Sequence, residues 1–265
     1  MKLTLVKVGG AIVENEASLH ALLTEFAKIP GHKVLVHGGG RSATKVAEQL
    51  GLPQQMIAGR RVTDAETLRV VTMVYAGLVN KNIVAQLQAR GVNALGLTGA
   101  DMNVIQSHRR APKNVRLEDG TQQLVDFGFV GDIDQVNADL LADLIAKGVV
   151  PVVSPIGHDT HGALLNTNAD TIAAEVAKAL AHHFEVTLMY CFEKKGVLLN
   201  PDDDDSVIPQ ITSQEFPRLV EEGVVSGGML PKLENAFAAI ASGVAQVVIT
   251  QANAIADAKA GTHLI

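Results

Sequence analysis

The segments LTLVKVGG (residues 3–10) and VLVHGGG (residues 34–40) carry the pattern that indicates the fold class of this sequence. Each is a short apolar run that predicts a buried strand, and each ends in glycines before a segment with helical periodicity. After the first run, the apolar positions at helical spacing are Leu19, Leu22, Leu23 and Phe26. Strands that alternate with helices in this way predict a mostly parallel sheet with helices on both faces.

The same alternation continues along nearly all of the 265 residues. Thr63 and Glu66 have the spacing of a capping box, which predicts a long helix from there to about Arg90. The other predicted elements are a strand at Val92–Leu97, a helix near Ala138–Lys147, a strand at Val149–Ser154, a helix after Asp170, and strands at Val186–Tyr190 and Val247–Thr250. We therefore expect an α/β protein, with a lobe boundary near residues 180–185 where an Ala-rich helix ends.

Residues 104–130 depart from this rhythm. Short segments at Val104–His108, Val115–Glu118 and Gln122–Val125 have the length of strands, and Asp119-Gly120 is a good tight-turn pair. They predict an antiparallel excursion that forms a flap over a site.

Composition and charge narrow the class of protein. The net charge of −6 argues against a nucleic-acid partner, because binding a phosphate backbone needs clustered lysine and arginine. The single cysteine, Cys191, is expected to be a small buried side chain rather than a catalytic thiol. We find no leader pattern and no apolar run of about 20 residues, so we expect a cytoplasmic location and no membrane partner. We expect Asp202–Asp205 to be a solvated loop rather than a metal site.

Two glycine-rich turns follow predicted strands, and ligands of open parallel sheets bind beyond the carboxyl ends of the strands. Lys7-Val8-Gly9-Gly10 combines a cation with backbone N–H groups that can approach an anion closely. His37-Gly38-Gly39-Gly40 leads into a helix, whose N-terminus favours anions. Taken alone, each segment also fits a plain turn, and neither matches a Walker A loop or a dinucleotide fingerprint.

Three further segments carry side chains suited to anionic ligands. Arg61 precedes the long helix, and its guanidinium either binds a carboxylate or is simply solvated. Residues Asn166–Asp170 precede another helix, where Asn and Asp also serve as caps. The segment Gly227–Lys232 places a lysine in the first turn of a helix, where the macrodipole disfavours it, and this indicates an anionic ligand.

In this order the segments resemble the acetylglutamate (N-acylglutamate) kinases of the amino-acid kinase family, over nearly the whole chain. The matching pieces are Lys7–Gly10, Val36–Gly40, Arg61–Thr63, Asn80-Lys81, Gly96–Asp101, Asn166–Asp170, Gly228-Met229 and Lys232. The resemblance implies a three-layer αβα sandwich around a mostly parallel sheet of roughly eight strands. It also implies an acylglutamate-binding and dimerising lobe over residues 1–182 and an ATP-binding lobe over residues 183–265.

The reaction implied by the resemblance is ATP-dependent phosphorylation of the γ-carboxylate of N-acetyl-L-glutamate, in arginine biosynthesis. Lys7 and Lys232 would flank the phosphoryl group in transit as catalytic residues, with Asp170 between them. The other implied contacts are Gly39, Gly40, Arg61 and Asn166 for the substrate, and Gly9, Gly10, Glu193, Gly196 and Met229 for the nucleotide. Mg²⁺ would be held mainly by the nucleotide phosphates. Because a carboxylate is already ionised at neutral pH, the reaction needs positioning and charge neutralisation rather than a general base.

Several alternatives stay open at this point. The segment YCFEKKG (residues 190–196) stands where the family commonly has a Ser/Thr-Asp pair, so Glu193 would replace the usual acidic residue. N-succinylglutamate is an alternative substrate, since Arg109, Arg110 or Lys113 would pair with its extra carboxylate. Carbamate kinase, glutamate 5-kinase and UMP kinase are alternatives within the fold. A non-catalytic binding protein is the alternative from another class.

The resemblance also bears on assembly. The first predicted strand begins at about Leu3, without the additional N-terminal helix of the arginine-inhibited hexamers of the family. We therefore expect a homodimer that arginine does not inhibit.

Overall fold

The computed structural model describes residues 1–116, 120–226 and 229–265. The strands are β1 (Lys2–Val8), β2 (His32–His37), β3 (Met56–Ile57), β4 (Arg60–Arg61), β5 (Ala94–Leu97), β6 (Ile105–Arg109), β7 (Lys113–Arg116), β8 (Gln122–Val125), β9 (Gly131–Val136), β10 (Val150–Val153), β11 (Ile156–His158), β12 (Leu164–Asn166), β13 (Glu185–Phe192), β14 (Gln210–Ile211), β15 (Gln246–Gln251) and β16 (Thr262–Leu264). The α-helices are α1 (Gly10–Glu14), α2 (Glu16–Lys28), α3 (Gly40–Gln49), α4 (Ala65–Thr72), α5 (Asn80–Gln88), α6 (Ala138–Ala146), α7 (Ala169–Leu180), α8 (Phe216–Glu221) and α9 (Leu230–Ala241).

The central sheet has eight strands in the order β14-β16-β15-β13-β1-β2-β10-β5. Neighbouring strands run parallel, except that β15 and β16 are antiparallel. This confirms the predicted mostly parallel, eight-stranded sheet.

The sheet separates two apolar cores, because successive side chains of a strand point to opposite faces. In β1, Leu3 and Leu5 pack into the core beneath α6, α7 and α9. Val6 and Val8 pack into the core beneath α1 to α5. The fold is therefore the predicted three-layer αβα sandwich, and the alternation in β1 directs Lys7 to the face that α7 covers.

The excursion over residues 104–130 contains the predicted antiparallel strands. Strand β6 pairs antiparallel with β9 in a four-stranded side sheet, β12-β11-β6-β9, and β7 pairs antiparallel with β8. The end of the predicted strand Val115–Glu118 and the residue Asp119 of the predicted turn lie outside the described residues, as does the pair Gly227-Gly228.

The predicted long helix runs over Ala65–Gln88, but two of its details differ from the sequence prediction. Its N-cap is Asp64, whose side chain accepts a hydrogen bond from Thr67 N at 2.7 Å, so the predicted cap at Thr63 was wrong. Thr63 is instead fully buried in a bridge to Gly128. The middle of the helix, Met73–Val79, is π-helical rather than α-helical.

This helix is also long and apolar enough to cross a membrane by length and composition, as found in the described part of the chain. The indication is weak, because core helices of soluble proteins pass the same test. Val70, Val74 and Ile83 of the helix are buried in the protein core.

Candidate active site

A cleft of about 800 Å³ opens at the carboxyl ends of β1, β2 and β13. All twelve site residues predicted above line it: Lys7, Gly9, Gly10, Gly39, Gly40, Arg61, Asn166, Asp170, Glu193, Gly196, Met229 and Lys232. Seven of the described lining residues are lysine or arginine and two are acidic, although the whole chain carries a net charge of −6. The cleft is therefore a local cationic site, which suits an anionic ligand.

Lys7 and Asp170 form the charged centre of the cleft. Lys7 Nζ lies 2.6 Å from Asp170 Oδ1 and forms an ion pair with it. Asp170 lies in the first turn of α7, where the helix dipole favours a carboxylate. The side chain of Asn168 caps that turn by accepting from the backbone N–H of Asp170 at 2.7 Å. Strand alternation and helix capping thus place the two charges together.

Lys232 approaches the same centre from the first turn of α9. Burial lowers the pKa of Lys232, while Asp170 raises it and Lys7 lowers it further. Its Nζ lies 3.9 Å from the centroid of the Phe192 ring. The structure thus brings two lysines and one aspartate together from β1, α9 and α7.

Two glycine turns pack against each other beside Lys7. A methyl group on Gly10 would lie 3.8 Å from the backbone nitrogen of Gly40 and 4.0 Å from that of Gly39. A methyl group on Gly38 would come within 3.3 Å of the nitrogen of Gly10. The two turns are therefore in contact at the start of α3, and the N-terminus of a helix favours anionic oxygens.

Arg61 is held beside these turns by hydrogen bonds from both of its terminal nitrogens. Its Nη2 donates to the carbonyl oxygen of Gly40 and to the hydroxyl of Thr44, both at 2.9 Å, and its Nη1 donates to the side chain of Gln54. Tyr75 packs beside it, and burial raises the pKa of this phenol while Arg61 lowers it. A methyl group on Gly39 would come within 2.9 Å of the Tyr75 ring, so the ring packs directly against the turn at Gly39.

Asn166 is positioned from the other side of the cleft. It ends β12, and its side-chain Nδ2 donates to the Thr63 hydroxyl at 3.0 Å. Thr63 is fixed in turn by backbone hydrogen bonds to Phe127 and Phe129, at 2.9 and 2.7 Å. Gly128 allows this close approach, because its φ is +72° and a methyl group there would lie 2.3 Å from the Thr63 carbonyl oxygen.

Beneath the glycine turn, His37 forms a buried polar network. Its Nδ1 donates to the carbonyl oxygen of Gly38 at 2.8 Å, and its Nε2 accepts from Asn80 Nδ2 at 3.1 Å. Asn80 also donates to the carbonyl oxygen of Val152 and accepts from Lys81. Burial lowers the pKa of His37 to about 4, against the hydrogen bond to Gly38, so the ring is neutral at physiological pH. The network fixes the turn without adding charge.

The predicted nucleotide end of the cleft is more open. Glu193 is exposed, whereas Gly196 is buried against Thr262, whose hydroxyl accepts from Val197 N at 2.8 Å. Lys194 and Lys195 pair with Asp204 and Asp205 at 2.8 and 2.6 Å. Within the described ranges, no group of three metal-ligating side chains is present there or elsewhere.

Two aromatic residues of the cleft, Tyr75 and Phe192, were missed at the sequence level. Tyr75 gave no signal, because it reads as one more apolar position of a long helix. Phe192 lies in the YCFEKKG segment, whose departure from the family pattern marked it as unusual. The cysteine of that segment, Cys191, is fully buried as expected, and burial raises the pKa of its thiol to about 12.

The three-layer fold and the cationic cleft at the carboxyl ends of its strands indicate a protein that binds anionic ligands. A model of the Amino acid kinase family matches residues 2–251, and the chain belongs to this family. It is a kinase, and its resemblance to the acetylglutamate kinases is confirmed by relatives of that name.

An acetylglutamate kinase of Bacteroides thetaiotaomicron is 67% identical over 99% of this chain and 98% of its own. One from Parabacteroides distasonis is 64% identical over 99% of each chain. Among solved structures, carbamate kinase from Giardia lamblia bound to AMP-PNP has a TM-score of 0.69 over 99% of this chain and 98% of its own. At 16% identity this last similarity shows the fold alone.

Proposed function

We propose that the protein transfers the γ-phosphoryl group of ATP to the γ-carboxylate of N-acetyl-L-glutamate, as a step of arginine biosynthesis. The observation that carries this proposal is the convergence of Lys7, Lys232 and Asp170 in one cationic cleft. The relatives named acetylglutamate kinase, 64% and 67% identical over nearly the full length, support the choice of acceptor.

The chemistry needs charge neutralisation more than proton transfer. The acceptor carboxylate is already ionised at neutral pH, and its approach to a triphosphate brings like charges together. We assign Lys7 and Lys232 to the phosphoryl oxygens, where they offset the negative charge of the transition state. Asp170 lies 2.6 Å from Lys7, and its charge offsets part of the lowering of the Lys232 pKa by burial.

The two ends of the cleft suit the two reactants. We assign Arg61 to the α-carboxylate and Asn166 to the acyl amide, with the N–H groups of Gly39 and Gly40 on the reacting oxygens. Gly9, Gly10, Glu193, Gly196 and Met229 are assigned to the nucleotide. In this proposal residues 1–182 form the acylglutamate lobe, which also supplies Gly9 and Gly10 to the nucleotide, and residues 183–265 form the ATP lobe.

Mg²⁺ would enter with the nucleotide and neutralise part of its phosphate charge. Asp170, the acidic residue at the centre of the cleft, is already paired with Lys7, so we assign the metal to the phosphate oxygens. Lys7 and the glycine N–H groups would orient the phosphates around it.

The acetyl form is preferred over the succinyl form. Of the three cations considered for a second carboxylate, Arg110 alone lines the cleft, and it is paired with Asp132. Arg109 is paired with Asp126. Both arginines are thus already neutralised by carboxylates of the protein.

We further propose a cytoplasmic homodimer. Met73 and Leu78 of the long helix expose more than half of their surface, and they lie one π-helical turn apart. Leu95 is exposed on β5, the terminal strand of the sheet on that side. An exposed apolar helix beside a sheet edge is a suitable surface for a second copy of the chain.

A substrate panel tests the proposed reaction. ADP release is measured with N-acetylglutamate, N-succinylglutamate, free glutamate and carbamate at equal concentrations. We expect the highest kcat/KM with N-acetylglutamate. A higher value with carbamate or free glutamate would replace the proposal with another reaction of the family, and a higher value with N-succinylglutamate would change the acyl group.

A further inference from the structure

Phe192 lies at the end of β13 with both lysines of the cleft near its ring. Lys232 Nζ is 3.9 Å from the ring centroid, and Lys7 Nζ is 5.9 Å from it. Both distances lie within the range of cation–π attraction, in which the negative face of an aromatic ring stabilises a cation. One ring therefore contacts two cations that come from different elements.

The ring is itself held in place by the strand. Tyr190 and Phe192 are two residues apart in β13, so their side chains share one face of the sheet. Their rings are nearly parallel, with an interplanar angle of 12° and centroids 6.2 Å apart. Tyr190 also lies opposite Lys7 in the register of β13 with β1. Sheet geometry thus fixes the aromatic pair relative to Lys7.

The two lysines are supported in different ways. Lys7 has the carboxylate of Asp170 at 2.6 Å. Within the described residues, no carboxylate lies within ion-pair distance of Lys232. The charged groups that act on Lys232 are Asp170 of α7, which favours the cation, and Lys7 of β1, which opposes it. Glu193 and Lys194 line the same cleft.

A ring face has an advantage over a second carboxylate at this position. It stabilises a cation without adding a full negative charge, so the ammonium keeps its charge for an incoming anion. A second carboxylate would repel the phosphates of the nucleotide.

We infer that Phe192 is a positioning residue that holds Lys232 as a cation over its ring face, ready for the phosphoryl group. The inference rests on the proposed function for the role of Lys232, but the contact itself does not depend on which acceptor is used.

The direct test is titration of Lys232 by NMR with lysine labelled at Cε, in the protein without substrate. The Lys232 signal is the one that disappears in Lys232→Arg. In Phe192→Leu we expect Lys232 to titrate at lower pH than in the wild type, since the cation has lost its support. In Phe192→Tyr, which keeps the ring face, we expect the wild-type titration. Phe192→Met serves in the same way if the leucine variant does not fold.

Kinetics give a second readout. We expect kcat of Phe192→Leu to fall about 2- to 30-fold, the effect of losing one cation–π contact, with Phe192→Tyr restoring it. The basic limb of the pH–rate profile moves to lower pH in the leucine variant, which loss of packing alone would not cause. Phe216→Leu is the matched control, because that ring packs on Phe237 at 5.0 Å.

Unchanged titration of Lys232 in Phe192→Leu would overturn the inference, and so would equal shifts in the leucine and tyrosine variants. If the wild-type enzyme phosphorylates none of the acceptors while the titration shifts as expected, the proposed function fails and the contact stands.

Discussion

The ionisable side chains in and below the cleft differ in their surroundings. Lys7 lies beside a carboxylate and Lys232 lies over a ring face, whereas His37, directly below the glycine turn, is neutral. A protonated His37 would lie unpaired in the core beside Lys81, whose charge already lowers the histidine pKa. The cationic character of the site therefore comes from side chains that reach the cleft.

This state of His37 predicts a pH dependence of stability. Its folded pKa of about 4 lies below its ordinary value of 6.5, so the unfolded chain takes up a proton first as the pH falls. Stability is fully present above pH 6.5 and is lost as the pH falls towards 4. Between pH 7 and pH 5 we expect the free energy of unfolding to decrease by about 2 kcal/mol through this residue.

Urea unfolding of the wild type and His37→Gln at both pH values measures that decrease. His37→Gln should lack this decrease in the free energy of unfolding. His20→Gln, which alters an exposed histidine, should still show the decrease. Equal pH dependence in the wild type and His37→Gln would contradict the neutral, buried assignment.

Among the elements, Gly128 joins the segment of residues 104–130 to Asn166 of the cleft through Thr63. Gly128→Ala would place a methyl group 2.3 Å from the Thr63 carbonyl oxygen at a φ of +72°. We expect a loss of roughly 2–4 kcal/mol in the free energy of unfolding, from backbone strain and overlap together. Gly51→Ala is the matched control, because its φ is +69° in open space and strain alone should cost about 1 kcal/mol.

Thermal or urea unfolding of Gly128→Ala and Gly51→Ala measures the loss in the free energy of unfolding that each substitution causes. Since Thr63 accepts from Asn166, we also expect the KM for the acyl amino acid to rise in Gly128→Ala but not in Gly51→Ala. Equal losses of stability in the two variants would show that the close approach to Thr63 is unimportant.

The sequence predicted the elements well where one periodicity dominates. Apolar runs of three to six residues identified β1, β2, β10, β13 and β15, and helical spacing identified α2, α3 and α7. The π-helical segment Met73–Val79 was not predictable, because its apolar pattern is that of an α-helix. Its packing of Tyr75 against Gly39 and Arg61 is a tertiary effect.

Contacts between distant segments also limited what the sequence could predict about the site. Lysines and glycines at strand ends identified the cleft, since parallel strands end at one edge of the sheet. The cap at Asp64 rather than Thr63 depended on a bridge to Gly128, which lies 65 residues further along the chain. The place of Phe192 under two lysines depended on the approach of α9. Contacts between residues that are far apart in the chain leave no pattern in the neighbouring sequence.

At the scale of the whole molecule, the exposed apolar surface of the long helix predicts the assembly. We expect the wild type to sediment as a dimer and Leu78→Glu to sediment as a monomer, because a buried charge at the interface would be left unpaired. Leu124→Glu is the matched control, since Leu124 is 65% exposed on β8 and should leave the dimer intact. Sedimentation of the wild type as a monomer at micromolar concentration would contradict the proposal.

The proposed phosphoryl transfer depends on Lys7, which is paired with Asp170, and on Lys232, which lies near both. The most direct measurement is hydroxamate formation from N-acetylglutamate, ATP and Mg²⁺, since hydroxylamine traps an acyl phosphate. We predict robust formation by the wild type and by Lys45→Ala, an exposed lysine, with a loss of about 100- to 1,000-fold in Lys7→Ala and in Lys232→Ala. Wild-type levels of hydroxamate in either of these two variants would contradict the proposed role of the lysines.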